Sequence, residues 1–249
     1  MNQVEQFQRE CACEIAGQGA DTALVEASRA WVQQANAHKY SYHFNWLGRP
    51  VIQYPQDMMA MQEIIWRIQP DLIIETGIAH GGSLIFSASM LELNAACGGN
   101  ATAEVCGVDI DIRAHNRSAI ETHPLSRRVT MIEGSSIADD VVAQIKAKAF
   151  GKARVLVCLD SNHTHDHVLA ELQLYAPLVS IGSYCVVFDT IIEDLPSDAF
   201  PDRSWGRGRN PKTAVHEYLA THPEFEIDAA MDAKLLISVA PSGYLRRVS

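Results

Sequence analysis

The chain has 249 residues, 47% hydrophobic and 20% charged, with a formal net charge of −10. This balance fits one large, well-cored α/β domain with an N-terminal extension and excludes a disordered chain. The acidic charge excludes a general nucleic-acid binder, and no apolar run reaches the ~18 residues that span a bilayer.

Taken in order, residues 1 to about 38 place apolar side chains at helical spacing through ALVEASRAWVQQANA, predicting one or two helices outside the main sheet. Lys39 to Asp57 is dense in aromatics and carries Pro50 and Pro55, which suits an irregular segment covering a pocket. The division expected is therefore an extension and lid over 1–55 and a main domain over 56–249. PQDMMAMQEIIWRIQP reads as a helix closed by Pro70, and Leu72 to Ile74 as a strand buried on both faces. Gly77, Gly81 and Gly82 follow, then LIFSASMLEL at helical spacing. Further strands are read at Glu104–Ile110, Arg127–Gly134, Ala153–Asp160 and Ser183–Asp189, separated by helices such as IADDVVAQIKAKAF and HVLAELQLYAPLV. This alternation calls for a doubly wound, mostly parallel sheet. NPKTAVHEYLATH predicts a helix capped by Asn210 with Pro211 first, and EFEIDAAMDAKLLISVAPSGYLRRV an antiparallel hairpin.

Strand, glycine turn and helix together form a cofactor cradle, because a helix N-terminus offers free N–H groups and glycines admit a ligand to the backbone. The spacing G-x-x-x-G-G departs from the dinucleotide fingerprint, and Glu75 would repel a phosphate and attract an amine. A zwitterion without phosphates is expected, and S-adenosylmethionine fits. Glu75 or the region of Gly77 would face its amino group; Ser83 and the helix N-terminus after Gly81 would face its carboxylate. Asp109 ends the second strand and suits a ribose diol; Ser135 and Ser136 suit an adenine edge or, equally, a helix cap.

Asp160 and Asp189 end adjacent strands, and two converging carboxylates repel unless a cation lies between them. All-oxygen ligation favours Mg²⁺, Mn²⁺ or Ca²⁺. His163 is placed to act as general base, while His165 and His167 are structural or open the next helix. A rival reading takes H-x-H-D-H in LDSNHTHDH as the core of a metallo-hydrolase, although it is one residue short of H-x-H-x-D-H and leaves the glycine turn unexplained.

ETGIAHGGS, GVDID, LDSNHTHDHV, VVFDTIIED and NPKTAV together resemble the cephalosporin hydroxylase family over about Tyr54 to Val239. The resemblance implies a Rossmann-like class I methyltransferase fold with a seven-stranded sheet. It also implies an S-adenosylmethionine-dependent O-methyltransferase in which Asp109 holds the ribose, Asp160 and Asp189 bind Mg²⁺, and His163 is the base. Relatives carry a second acidic or amide residue beside the fifth-strand aspartate, where this chain has Thr190, leaving Thr190, water, Glu193 or Asp194 to complete the shell. The acceptor is a hydroxyl on a small molecule or sugar. An anionic acceptor would suit the loop Asp194–Lys212, which carries Arg203, Arg207, Arg209 and Lys212. Two further functions stay open on the residues alone: a hydroxylase, as the family name suggests, and a non-catalytic cofactor-binding homologue. The opening MNQVEQFQRE lacks a secretory leader, so a cytoplasmic protein is expected. Its Cys106, Cys158 and Cys185 would be buried thiols, and the N-terminal helices and aromatics could serve a homo-oligomer, a dimer or higher.

Overall fold

LIIET has no polar side chain before Glu75, and a strand of that kind needs cover on both faces. In the computed structural model, which describes residues 2–249, it forms β3 (Leu72–Thr76), buried along its whole length. β3 pairs in parallel with β4 (Glu104–Asp109) on one side and β6 (Val155–Leu159) on the other, Ile74 facing Cys106 and Val157. β5 (Val129–Glu133) extends the sheet beyond β4, and β7 (Tyr184–Val187) beyond β6. The last strands, β8 (Phe225–Ile227) and β9 (Tyr244–Arg247), give the seven-stranded order β5-β4-β3-β6-β7-β9-β8, with β9 antiparallel to both neighbours.

Helices cover both faces. α3 (Pro55–Ile68) and α4 (Gly82–Ala96) pack on one, against Ile73, Val105 and Leu156; α6 (Asp139–Ala149), α7 (His165–Tyr175) and α8 (Pro211–Leu219) pack on the other, against Leu72, Val108 and Val157. α5 (Ala114–Glu121) is anchored by buried Ile120. The α8 start is as expected: Asn210 accepts from Lys212 N and Thr213 N in a capping box, and Pro211 is the first helical residue. Cys106, Cys158 and Cys185 are buried free thiols in the sheet.

At the N-terminus α1 (Gln3–Ala20) and α2 (Thr22–Ala37) precede the aromatic segment. Tyr40 packs edge-on against Trp31 at 5.0 Å, Phe44 at 5.1 Å and Tyr54 at 5.4 Å, fastening α2 to the domain. Two expectations need correction. The aromatic segment is not wholly irregular: β1 (Phe44–Trp46) and β2 (Arg49–Val51) form a hairpin around Leu47 and Gly48, both at positive φ. The C-terminal pair is antiparallel but is not a simple hairpin, because α9 (Ala229–Leu235), capped by Asp228, stands between β8 and β9. The alanines of DAAMDAKL favour that helical turn, and reversing the chain through it places β9 between β7 and β8.

Candidate active site

The strand order reverses between β3 and β6, and ligands of open α/β sheets bind outside the carboxyl ends at such a point. There the glycine turn after β3 meets the segment after β6. Gly77 has φ +90°, and a Cβ on it would overlap the Asp160 carbonyl oxygen, so only glycine lets the two segments touch. Asp109 fastens the turn from below, accepting Ile78 N at 2.8 Å, Ala79 N at 3.1 Å and Asp111 N at 3.1 Å.

Two residues that sequence reasoning missed hold the turn from above. Arg49 on β2 donates to the His80 carbonyl at 2.6 Å and to Asn116 Oδ1 at 2.9 Å, and Asn116 Nδ2 donates to the Ala79 carbonyl at 2.8 Å. Neither lies in a periodic or glycine-rich pattern, and their contacts span long separations in the chain.

A cleft of about 200 Å³ runs along this turn, lined by Gly77, Ser83, Asp160, His163 and Asp189 with Gln53. A second hollow of about 120 Å³ shares Gly77 and Ser161 with it and is lined further by Asp109, Ile110, Ser135, Ser136, Asn162 and His167. The serines do not cap α6, whose N-cap is Ala138; Ser136 is buried and bonded to His167 Nε2 at 3.0 Å. Ser161 reaches the same nitrogen at 3.2 Å and donates to buried Glu171 at 2.7 Å. Glu75 lies behind the cleft wall, fully buried and hydrogen-bonded by the Ser83 hydroxyl. Burial pushes its carboxyl up to about 7, with the serine bond pulling the other way. Gly81, at φ +80°, is the N-cap of α4 and stands against Ile120 rather than in the cleft.

Asp160, His163 and Asp189 bring one ligand atom each to within 4.8 Å of one another, and His163 Nε2 is 3.0 Å from Asp189 Oδ2. Asp189 takes the left-handed conformation at φ 55°, a strained geometry for a non-glycine residue that turns its carboxylate toward Asp160. Burial, and then the neighbouring Asp189 charge, hold the Asp160 carboxyl well above the usual range. A cation between the two carboxylates would relieve that repulsion, so the donor set fits a divalent metal. The other residues considered for the shell are engaged elsewhere. Thr190 donates to the Pro241 carbonyl, Glu193 accepts from Gly208 N and Asn210, and Asp194 pairs with Lys212 at 2.6 Å.

The three histidines diverge, which removes the metallo-hydrolase reading. His165 meets Thr213 and Glu217 of α8, His167 meets Ser136 and Ser161, and Asp166 is exposed with Arg209 at 2.8 Å. The metal group offers one imidazole and two carboxylates, not the 2-His-1-carboxylate set of non-haem iron oxygenases.

Residues 38–248 match the family model described as Rhamnosyl O-methyltransferase/CmcI. The chain belongs to that family. Rhamnosyl O-methyltransferase of Mycobacterium tuberculosis (strain ATCC 25618 / H37Rv) is 32% identical over 196 residues, 77% of this chain and 73% of its own length. Its counterpart in Mycobacterium leprae (strain TN) is 31% identical over 207 residues, covering 81% of this chain and 82% of its own. Among solved structures, CmcI with Mg and S-adenosylmethionine aligns over 84% of this chain and 78% of that one, with TM-score 0.57 and 19% identity. An O-methyltransferase from Bacillus cereus in complex with S-adenosylhomocysteine aligns over 80% and 81%, with TM-score 0.51 and 16% identity. The solved structures bear on the fold, which is the expected Rossmann-like one. As a member of the rhamnosyl O-methyltransferase/CmcI family, the chain is an O-methyltransferase. Among the described residues no helix is long and apolar enough to cross a membrane.

Proposed function

We propose that this chain transfers a methyl group from S-adenosylmethionine to a hydroxyl of a rhamnosyl or related sugar, assisted by Mg²⁺. The observation that carries the reading is that two adjacent hollows share Gly77 and Ser161 as walls. One is lined by the Asp109 carboxylate and the two serines, and the other ends at Asp160, His163 and Asp189. The first suits adenosine, the second a methionine moiety and an acceptor hydroxyl. In this reading Asp109 holds the ribose hydroxyls, Ser135 and Ser136 meet the adenine edge, and Gly77, Gly82 and Ser83 receive the amino acid end. Glu75 acts indirectly, by fixing Ser83, and Gly81 by starting α4.

Asp160 and Asp189 would hold the metal, which when bound supplies a Lewis acid that lowers the pKa of a coordinated hydroxyl. The bound sulfonium supplies the electrophilic methyl. Asp189 orients the imidazole by accepting from His163 Nε2–H at 3.0 Å, which leaves the other ring nitrogen to accept the hydroxyl proton. Positioning is the main task, since the reacting oxygen and methyl need only be held in line and in contact. Residues 1–55 serve as extension and lid, Tyr42 and Val51 forming part of the cleft wall. The exposed apolar Val4 and Phe7 of α1 support a homo-oligomer, and buried free thiols support a cytoplasmic setting.

Calorimetric titration with S-adenosylhomocysteine, with and without Mg²⁺, tests the cofactor assignment. Micromolar binding that is lost in Asp109→Ala is the expected result; no binding by the wild type under either condition contradicts it.

A further inference from the structure

A larger hollow opens beside the metal group, and it carries information about the acceptor. It measures about 970 Å³ and runs from His163 and Asp189 between the end of α2 and residues 195–205. That is at the upper end of the ~300–1,000 Å³ typical of small-molecule sites, so a sugar ring with a substituent attached fits inside. Its wall nearest the chemistry is aromatic. The Trp205 ring meets the His163 imidazole edge-on with centroids 5.2 Å apart, and Phe200 packs on Trp205 at 4.6 Å.

The charges around the hollow are balanced toward the acidic side. Asp189, Asp198 and Asp202 line it against Lys39 and Arg203. Arg203 lies over one face of the Trp205 ring, 5.7 Å from its centre, so its charge is turned to the indole. Two of the four cations of the 194–212 loop are already paired, Arg209 with Asp166 and Lys212 with Asp194. Nothing here gathers the converging positive charge that a diphosphate demands.

We propose that the hollow holds its acceptor by this aromatic wall rather than by charge, with Trp205, supported by Phe200, as the platform on which the acceptor ring stacks. The inference rests on the sugar-acceptor reading above. A deoxyhexose carries a C–H and methyl surface on its ring as well as hydroxyls. Burying that surface on an indole, with the hydroxyls turned toward His163, satisfies both parts of the ligand. The edge-on contact to His163 then places the ring beside the base without covering its nitrogen partner Asp189.

The test uses methyl α-L-rhamnopyranoside as acceptor with S-adenosylmethionine and Mg²⁺, for wild type, Trp205→Ala and Trp205→Phe. Trp205→Ala should raise KM for the glycoside about tenfold with a smaller change in kcat, and Trp205→Phe should restore most of it. Calorimetry with S-adenosylhomocysteine, expected to give equal affinity in all three proteins, separates loss of the platform from misfolding. Unchanged KM in Trp205→Ala overturns the platform while leaving the methyltransferase intact. Wild-type protein that binds S-adenosylhomocysteine but methylates no rhamnoside overturns the sugar reading and this inference with it.

Discussion

His163 Nε2 stands 3.0 Å from Asp189 Oδ2, although one residue follows β6 and the other follows β7. The contact holds the imidazole at the mouth of the metal group. His163→Ala should lower kcat by ~10²–10⁴-fold, the usual worth of a positioned general base, while S-adenosylhomocysteine affinity stays within about twofold. Calorimetry with Mg²⁺ on the same variant refines the role. Unchanged metal affinity fits a base, whereas a tenfold loss would move His163 into the metal shell.

The Asp160–Asp189 pair stores repulsion that a cation relieves. Asp160 has its carboxyl raised in the folded protein, so its contribution to stability is present at low pH and is lost as pH rises above the ordinary carboxylate range. Metal-free Asp160→Asn should therefore melt higher than the metal-free wild type at pH 8. Adding Mg²⁺ should raise the melting temperature of the wild type and not of the variant. Differential scanning fluorimetry reads both effects, and a variant that melts lower without metal would contradict the repulsion argument.

Glu75 offers a second pH signature. Its carboxyl moves from an ordinary 4.5 to about 7 on burial beneath the glycine turn. The folded state favours the protonated form, so the contribution of Glu75 to stability is fully present below pH 4.5 and is lost as pH rises through 7. The cost by pH 8 is ~3 kcal/mol for this group at one pKa unit per 1.36 kcal/mol. Glu75→Gln keeps a hydrogen-bonding partner for Ser83 and removes the titration. Its urea-unfolding free energy should exceed the wild type's at pH 8 and approach it near pH 4.5. Buried Asp57, raised to about 6 and bonded by Ser238, Val239 and Tyr244, adds a slope of the same sign that this substitution leaves in place.

Gly77 is the most exacting position of the turn. Gly77→Ala adds a Cβ against the Asp160 carbonyl at a φ of +90° that L-residues rarely adopt. A loss of about 2 kcal/mol or more in stability is expected, together with weakened cofactor binding, because the two segments that form the cleft must separate. Gly48→Ala, also at positive φ but with open space around its Cβ, should lose less and keep cofactor affinity.

The part of this architecture that is periodic was legible in the sequence. β3, β4, β6 and β7 announced themselves as short apolar runs, and the residues that end or follow them, Asp109, Asp160, His163 and Asp189, are brought to the edge of the sheet that sequence reasoning assigned them. What remained hidden depends on contacts between distant segments. Arg49 and Asn116 clasp the glycine turn from elements with no motif of their own, and Glu75 turns inward to Ser83 because a side chain of β3 has no solvent to face. The helix α9 was obscured by strand-like neighbours on both sides, LLISV and FEI, which outweighed a short run of alanines. In the basic loop, Arg209 and Lys212 pair with Asp166 and Asp194, contacts across chain separation that no local pattern announces.

The central claim is that methyl transfer occurs at the end of the cleft bounded by Asp160, His163 and Asp189. Its most direct test incubates the wild type and Asp189→Asn with methyl-labelled S-adenosylmethionine, Mg²⁺ and methyl α-L-rhamnopyranoside, and follows the glycoside by mass spectrometry. The account predicts a single added methyl group from the wild type, abolished by a chelator and reduced at least ~10²-fold in the variant. Methylation that persists unchanged in Asp189→Asn, or a wild type that binds the cofactor yet leaves the glycoside unlabelled, would contradict it.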